Sequence, residues 1–287
     1  MKLFDASLEN TDPKYRIVRD DPRYQDLKKY IEKLWTKFHP FADNSFQADI
    51  AWQFHPHFWE MYLGCALLEL GFDLTPRETK DGPDLKAKFR GKTVWVEATA
   101  PDKGSGDDAV PEPIIDQITE VPEEKVLLRF TNSVYEKKIK LQEYILKGIV
   151  KPDEIYIVAI NGFLVPYSSP RDEIHSIVKA VLPIGKESIT FNLDTFEFIN
   201  SSYQYRSEIE KHSGSQVPTT AFQNRDFAGI SGIIYSNAEL RNLPYSFGSD
   251  FLFVHNPLAT NKIDHGWLKI GKYYWVEDDI LRWETME

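Results

Sequence analysis

The chain is organised around one stretch, Gly82-Pro83-Asp84-Leu85-Lys86-Ala87-Lys88-Phe89-Arg90-Gly91-Lys92-Thr93-Val94-Trp95-Val96-Glu97-Ala98-Thr99. It predicts two strands joined by a tight turn at Arg90-Gly91-Lys92, because glycine adopts the backbone angles that such turns need. Strand alternation places Trp95, Glu97 and Thr99 on one face. Pairing across the hairpin brings Asp84 close to Glu97. Two adjacent carboxylates are costly unless a cation or a shared proton lies between them, so this pair is the first candidate site.

Length and composition indicate a globular protein with a substantial core. The chain has 287 residues, of which 42% are hydrophobic and 27% charged. Its single cysteine, Cys65, excludes an internal disulfide and a cysteine-based zinc site. The start Met1-Lys2-Leu3-Phe4-Asp5 lacks an apolar signal region, and no apolar run is long enough to span a bilayer. We therefore expect a cytoplasmic protein with no membrane partner.

Charge is distributed unevenly along the chain. The net charge is −10, yet Lys125 to Lys151 holds seven basic and two acidic residues. A basic helix in an acidic protein could follow the phosphates of a nucleic acid, although a solvated charged face is the more common explanation. The apolar stripe of this helix is formed by Leu127, Thr131, Val134, Lys138, Leu141 and Ile145.

Hydrophobic periodicity predicts the order of elements around the hairpin. Helices are expected at Pro22–Phe38, His57–Leu70 and Glu124–Lys147, and further strands at Phe72–Thr75 and Asp153–Asn161. Residues 101–122 read as a long loop. This order, αβββαβ, predicts a mixed α/β core with the sheet in the middle. We assign residues 57–161 to that core, 1–56 to an N-terminal helical extension and 162–287 to a C-terminal α/β elaboration packed on the same sheet.

The C-terminal part gives weaker signals. Helices are predicted at Asp172–Val181 and Tyr203–Lys211, and an extended segment at Ser188–Leu193. Strands are predicted at Ile230–Tyr235 and Phe251–His255, with a hairpin over Trp267–Val276 that turns at Gly271-Lys272.

The αβββαβ order with its acidic residues resembles the PD-(D/E)XK nuclease superfamily, which has the restriction-endonuclease-like fold. Pro83-Asp84 and Glu97-x-Thr99 match the motif, and Glu60 matches the accessory acid on the first helix. The resemblance implies that Asp84, Glu97 and Glu60 hold Mg²⁺ or Mn²⁺ for phosphodiester hydrolysis of nucleic acid, with DNA favoured. Many enzymes of the superfamily act as dimers, but no interface is indicated here.

The sequence departs from the motif at Thr99, which occupies the position of the lysine. Lys138 is the candidate for a relocated catalytic lysine, because it interrupts the inward stripe of the basic helix; the alternative is that it extends past the sheet edge to solvent. Lys137 and Lys140 are expected nearer the polar face, where they would at most touch phosphates. Arg129, Lys137 and Gln142 are the candidate nucleic-acid contacts.

Other interpretations stay open for the acidic residues. Asp84 could cap a turn while Glu97 points to solvent, and Glu60 could be an ordinary first-turn acid favoured by the helix dipole. The chain could accordingly be a catalytically inactive nuclease fold that binds nucleic acid or a protein partner. It could also be an interaction domain in which the acidic pair is coincidental.

Overall fold

The computed structural model describes residues 2–5, 7–77, 81–114, 116–168, 174–269 and 271–286. The helices in these ranges are α1 (Pro13–Asp20), α2 (Gln25–Phe38), α3 (Phe46–Trp52), α4 (Phe54–Glu69), α5 (Glu123–Leu146) and α6 (Ser176–Lys179). The strands are β1 (Asp73–Thr75), β2 (Leu85–Phe89), β3 (Lys92–Thr99), β4 (Ile155–Asn161), β5 (Ile184–Phe191), β6 (Phe198–Tyr205), β7 (Glu208–Glu210), β8 (Gln216–Pro218), β9 (Gly232–Ser236), β10 (Leu252–His255), β11 (Gly271–Glu277) and β12 (Ile280–Met286).

A mixed eight-stranded sheet forms the centre of the fold, in the order β1-β2-β3-β4-β9-β10-β11-β12. Strands β3, β4 and β9 run parallel, whereas β2 pairs antiparallel with β3 and β1 pairs antiparallel with β2. Strands β9 to β12, from the C-terminal part, continue the same sheet, whereas β5-β6 and β7-β8 are separate two-stranded sheets. The mixed α/β class is confirmed; the specific restriction-endonuclease-like core and the domain boundaries stay predictions.

The central hairpin forms as its sequence predicts. Leu85 pairs with Val96, and the chain turns at Arg90 and Gly91, which both have positive φ angles. Glycine adopts such angles without steric cost, so Gly91 suits the turn. The register places Asp84 one residue before this pair, beside the end of β3 that carries Glu97.

Side-chain alternation along the strands separates two hydrophobic cores. Val94 and Val96 pack on one face of the sheet with helices α2 and α4. Trp95 packs on the other face with α5 and α6. Strand β4 is buried along its whole length because its side chains contribute to both cores. Glu97 alternates with Val96 and so faces the layer that contains α5.

Two predicted elements of the C-terminal part are wrong. The helix predicted at Tyr203–Lys211 is instead the end of β6 followed by β7, where Glu208 pairs with Pro218. The hairpin predicted to turn at Gly271-Lys272 turns at Asp278 and Asp279, which have positive φ angles.

Position 271 requires glycine because two neighbouring strands approach each other closely there. A Cβ atom at this position would collide with the carbonyl oxygen of Phe251, and the next amide, of Lys272, donates to that same oxygen at 2.9 Å. Glycine therefore allows β11 to pair with β10 rather than forming a turn.

Further predicted helices agree in place but differ in their bounds. Helix α4 begins at Phe54, earlier than the predicted His57, and Gly71 follows it with a φ of +86°. The helix predicted at Asp172–Val181 corresponds to the shorter α6, Ser176–Lys179, while Asp172 lies outside the described residues.

In the part of the chain that the structure describes, no helix combines the length and apolarity needed to cross a membrane.

The contact between α2 and α4 gives a test of the packing. Gly64 of α4 lies so close to the ring of Phe38 that a Cβ atom would overlap it, and Phe38 is fully buried. Gly64→Ala is expected to lower the free energy of unfolding by about 1–3 kcal/mol through overpacking, despite the better helix propensity of alanine. Urea denaturation measures this change in the free energy of unfolding. Gln142→Ala, at an exposed position of α5, is the control. A stabilised Gly64→Ala would contradict this packing.

Candidate functional site

Glu97 is the central residue of the site. It lies on β3 and is only 2% exposed. Its Oε1 atom is 2.9 Å from Nζ of Lys137 and 3.1 Å from Nζ of Lys140, and its Oε2 atom accepts a hydrogen bond from the Tyr144 hydroxyl at 3.2 Å. Helix α5 supplies all three donors. The alternative in which Glu97 points to solvent is therefore wrong.

Asp84 lies beside this carboxylate, immediately before β2. Its Oδ2 atom accepts a hydrogen bond from the backbone N–H of Ala98 at 2.7 Å, and Nη1 of Arg77 is 3.5 Å from its Oδ1 atom. Arg77 also donates to the carbonyl oxygen of Gly82 at 3.2 Å. Asp84 therefore connects the two strands of the hairpin instead of only capping a turn.

The protonation of Asp84 is strongly perturbed. Desolvation by burial, followed by the negative charges of Glu97 and Glu60, raises the pKa of Asp84 to about 8. The positive charges of Arg77 and Lys137 oppose this rise but do not cancel it. A carboxylate with a raised pKa next to other acids is typical of functional sites and also of buried ion-pair networks.

Glu60 approaches the same cluster from α4. It is buried, with Oε1 at 3.9 Å from Nη1 of Arg77 and Oε2 at 3.5 Å from Nδ1 of His57. Because α4 begins at Phe54, Glu60 lies in the second turn of the helix and not the first. The interpretation of Glu60 as a first-turn acid favoured by the helix dipole is therefore wrong.

The acidic side chains of the site are paired with basic ones. Four carboxylates (Asp43, Asp84, Glu97 and Glu60) lie within 4 Å of one or more of three cations (Arg77, Lys137 and Lys140). Over the ranges that the structure describes, no group of three or more His, Cys, Asp or Glu side chains is arranged to hold a metal ion.

A metal ion at this site would therefore be bound by only one or two carboxylates. Asp84 and Glu97 offer only oxygen donors, and Mg²⁺ in proteins is commonly held by one or two carboxylates with several waters. The donor chemistry of this pair fits Mg²⁺. The role of Glu60 as a third ligand stays a prediction.

The basic helix corrects the prediction for Lys138. The ammonium of Lys138 lies 5.7 Å from the ring centroid of Phe227, so its predicted approach to the carboxylates is wrong. The buried Lys137 makes that approach, which also corrects its assignment to the polar face; its contact with nucleic acid stays a prediction. Successive residues of a helix point about 100° apart, so neighbouring lysines face different surroundings.

The stripe that reaches Glu97 has a helical spacing in the sequence, although spacing alone does not select it over the adjacent apolar stripe. The side chains that reach Glu97 are Lys137, Lys140 and Tyr144, at helical spacings of three and four, and they follow Ser133 with the same spacing. This polar stripe lies one residue before the apolar one. Burial and the charge of Glu97 raise the pKa of the Tyr144 hydroxyl, so it acts here as a neutral donor.

The other predicted nucleic-acid contacts lie away from Glu97. Nε of Arg129 donates to the backbone carbonyl of Asp102 at 2.9 Å, and this arginine lines a cavity of about 380 Å³ together with Asn132 and Lys211. Gln142 is exposed on α5. Their contact with nucleic acid stays a prediction.

Sequence reasoning missed Arg77 and Tyr156. Arg77 follows β1 in an irregular segment that carries no periodic signal. Tyr156 pairs in register with Trp95, which places its side chain on the face that carries Glu97. Its buried hydroxyl makes no hydrogen bond with the residues described, and burial followed by the charge of Glu97 raises its pKa.

Comparisons with protein-family models, with curated proteins and with solved structures found no match for this chain. The function is therefore inferred from the chemistry of the residues described above.

The raised pKa of Asp84 predicts how stability depends on pH in the presence of a metal chelator. The folded state holds the Asp84 proton up to about pH 8, whereas in the unfolded chain the pKa is near 3.8. Folding therefore binds a proton between these values, and the free energy of unfolding falls as the pH rises through this window. Asp84→Asn removes the effect and should be the more stable protein at about pH 8. Urea denaturation of both proteins across this pH range measures the free energy of unfolding. If it changes with pH in the same way in the wild type and in Asp84→Asn, the raised pKa of Asp84 is contradicted.

Adjacent lysines give a second test. Lys137→Met leaves the buried Glu97 with Lys140 as its remaining cation, and removing one partner of a buried pair costs roughly 3 kcal/mol. Lys138→Met loses a cation–π contact with Phe227 and should cost under about 1 kcal/mol. Denaturant unfolding of both variants at neutral pH measures the difference. Equal decreases in the free energy of unfolding would show that the Lys137–Glu97 contact does not stabilise the fold more than the Lys138–Phe227 contact.

Proposed function

We propose that the chain is a cytoplasmic, metal-dependent nuclease that hydrolyses phosphodiester bonds in nucleic acid, with DNA as the favoured substrate. The observation that carries the proposal is the convergence of Asp84, Glu97 and the buried ammonium of Lys137 at the end of the central hairpin. The order α4-β1-β2-β3-α5-β4 supports it, because this is the order that the PD-(D/E)XK resemblance implies.

Asp84 and Glu97 would hold the Mg²⁺ or Mn²⁺ ion, with Glu60 nearby as the accessory acid. The bound ion would supply a water of lowered pKa and would neutralise charge on the scissile phosphate. Asp84 must lose its proton to act as a ligand, so ion binding and deprotonation of this residue are coupled. We therefore expect metal affinity to increase as the pH rises towards the pKa of Asp84.

Lys137 takes the role for which Lys138 was the candidate. The motif position carries Thr99, which cannot supply a positive charge, and the Lys137 ammonium reaches Glu97 from the neighbouring helix instead. Lys140 is about half exposed and shares Oε1 of Glu97, so it can also meet a phosphate from the solvent side. Together the two lysines place positive charge where a phosphodiester would approach the carboxylates.

A second candidate function is favoured by the same contacts. Both lysines already bond to Oε1 of Glu97, so this carboxylate is neutralised without an ion. A nuclease fold that has lost cleavage and binds nucleic acid or a protein partner would retain such an internal network. Cleavage distinguishes the two candidates.

The experiment is a cleavage assay on plasmid and linear single-stranded DNA with Mg²⁺ or Mn²⁺. Cleavage should fall by at least about 100-fold in Asp84→Asn, which removes a ligand charge, and in Lys137→Met, which removes the cation beside it. Lys138→Met is the matched control and should cleave like the wild type. Asp84→Asn is expected to be stably folded, so its loss of activity would not come from unfolding. A wild type that never cleaves, or an Asp84→Asn protein that cleaves normally, would refute the nuclease.

A further inference from the structure

A polar cavity lies at the amino-terminal ends of β3 and β4. It has a volume of about 550 Å³ and is lined by residues from the ranges 91–93, 151–155 and 260–262. Ligand sites in proteins commonly have volumes of about 300–1,000 Å³. Thr93, which lines the cavity, lies four residues before Glu97. This spacing corresponds to about 13 Å along the strand, so the cavity is separate from the site around Glu97.

Hydrogen bonds hold the walls of the cavity together. Nδ2 of Asn261 donates to the carbonyl oxygens of Pro152 and Glu154, both at 2.8 Å. The backbone amide of Thr260 donates to the carbonyl oxygen of Ala228 at 2.8 Å. These bonds fix the loop after β10 against the segment that precedes β4. The walls are therefore largely pre-formed, as is usual for ligand sites.

Lysines are the most numerous charged residues of the lining. Lys92, Lys151 and Lys262 are exposed, and no ion pair joins them to another residue in the described ranges. Two acids, Asp153 and Glu154, also line the cavity. The lining thus has a net positive charge, although the whole chain has a net charge of −10.

The carboxylate of Glu154 already has neutral partners. Its Oε2 atom accepts hydrogen bonds from the indole N–H of Trp95 at 2.7 Å and from the backbone N–H of Lys151 at 2.9 Å. The ammonium of Lys86 lies 4.6 Å from the ring centroid of the same indole. Lys86 pairs with Trp95 across the hairpin, on the face that carries Glu97. The cations therefore continue from the cavity towards the site around Glu97.

Lys88 adds a further cation beside the cavity. It is exposed and pairs in register with Thr93 of β3 and with Asp73 of β1. Asp73 is exposed as well. The five lysines named here outnumber the three acids, Asp73, Asp153 and Glu154, that lie in or beside the cavity. An excess of positive charge thus extends beyond the lining itself.

The chemistry of the lining favours phosphate groups. Ammonium groups bind phosphate oxygens as point charges, whereas most small-molecule sites are lined by apolar and aromatic side chains. In the described lining, Ile155 is the one large apolar side chain, and no aromatic ring is present. Exposed lysines on several segments suit the repeated phosphates of a polyanion, because each neutralised phosphate releases counterions. A nucleic-acid strand therefore fits better than a single small anion.

We propose that this cavity is a second nucleic-acid contact, in which Lys92, Lys151 and Lys262 bind backbone phosphates of a strand that also reaches the site around Glu97. The inference rests on the proposed function for the nature of the ligand, but it concerns binding and not cleavage. Because phosphate contacts carry no sequence information, affinity at the cavity does not depend on base sequence.

Fluorescence anisotropy of a labelled single-stranded DNA oligonucleotide in EDTA measures binding without cleavage. The cavity variant combines Lys92→Gln, Lys151→Gln and Lys262→Gln. It should raise the dissociation constant by at least about 10-fold at low salt and reduce the slope of log K against log salt by about 2. Glutamine keeps these exposed positions polar, so the variant should fold normally.

The matched control combines Lys2→Gln, Lys29→Gln and Lys33→Gln. These three lysines are exposed and lie outside the lining of the cavity. The control changes the net charge by the same amount as the cavity variant, so it separates a local contact from a general effect of charge. It should bind the oligonucleotide like the wild type.

Three results would overturn the proposal. The first two are a wild type that binds no oligonucleotide, and cavity and control variants that bind it equally. The third is binding of inorganic phosphate, measured by calorimetry, that is lost in the cavity variant while oligonucleotide binding is kept; the cavity would then hold a small anion. If the wild type never cleaves but only the cavity variant loses oligonucleotide binding, the nuclease is refuted and the cavity contact is supported.

Chemical footprinting of the wild type provides a second measurement. A bound oligonucleotide should protect Lys92, Lys151 and Lys262 from acetylation, as measured by mass spectrometry. Lys29 and Lys33 are exposed outside the cavity and should stay reactive. Equal protection of the two groups would contradict the assignment of the contact to the cavity.

Discussion

The buried pair between Glu97 and Lys137 is the contact on which the arrangement of the site depends. A carboxylate that is almost fully removed from water is tolerated only when cations and hydrogen bonds compensate it. Helix α5 supplies two lysines and a tyrosine hydroxyl for this purpose. Their spacing fixes how the helix is rotated against β3, and the same rotation buries its apolar stripe against the sheet. Packing and electrostatics thus specify one orientation of α5.

Asp84 shows the cost of bringing acids together. Its hydrogen bond from Ala98 places it beside Glu97, and the proximity raises its pKa far above that of a free aspartate. Arg77 offsets part of the repulsion. The cluster is thus stable without an ion when Asp84 is protonated, and it gains a strong attraction for a cation when Asp84 is ionised. This competition between a proton and a metal links the stability of the fold to the proposed activity.

The sequence predicted the features that depend on local periodicity. The central hairpin, helices α2, α4 and α5, and the pairing of Asp84 with Glu97 all follow from alternation, helical spacing and turn glycines. It did not predict which lysine faces Glu97, because Lys137 and Lys138 are adjacent and only tertiary packing fixes the rotation of α5. The role of Gly271 was missed for a similar reason, since its contact is with Phe251, which is distant along the chain. Arg77 was missed because irregular segments carry no periodic signal.

Anomalous diffraction from crystals soaked in Mn²⁺ above the pKa of Asp84 would show whether Asp84 and Glu97 hold a metal ion. We expect a peak between the carboxylates of Asp84 and Glu97, at ~2.0–2.3 Å from an oxygen of each, and none at this place in Asp84→Asn crystals. A wild-type map that shows Lys137 and Lys140 still on Glu97 and no manganese beside it would contradict the metal site. The cluster would then be an internal ion-pair network.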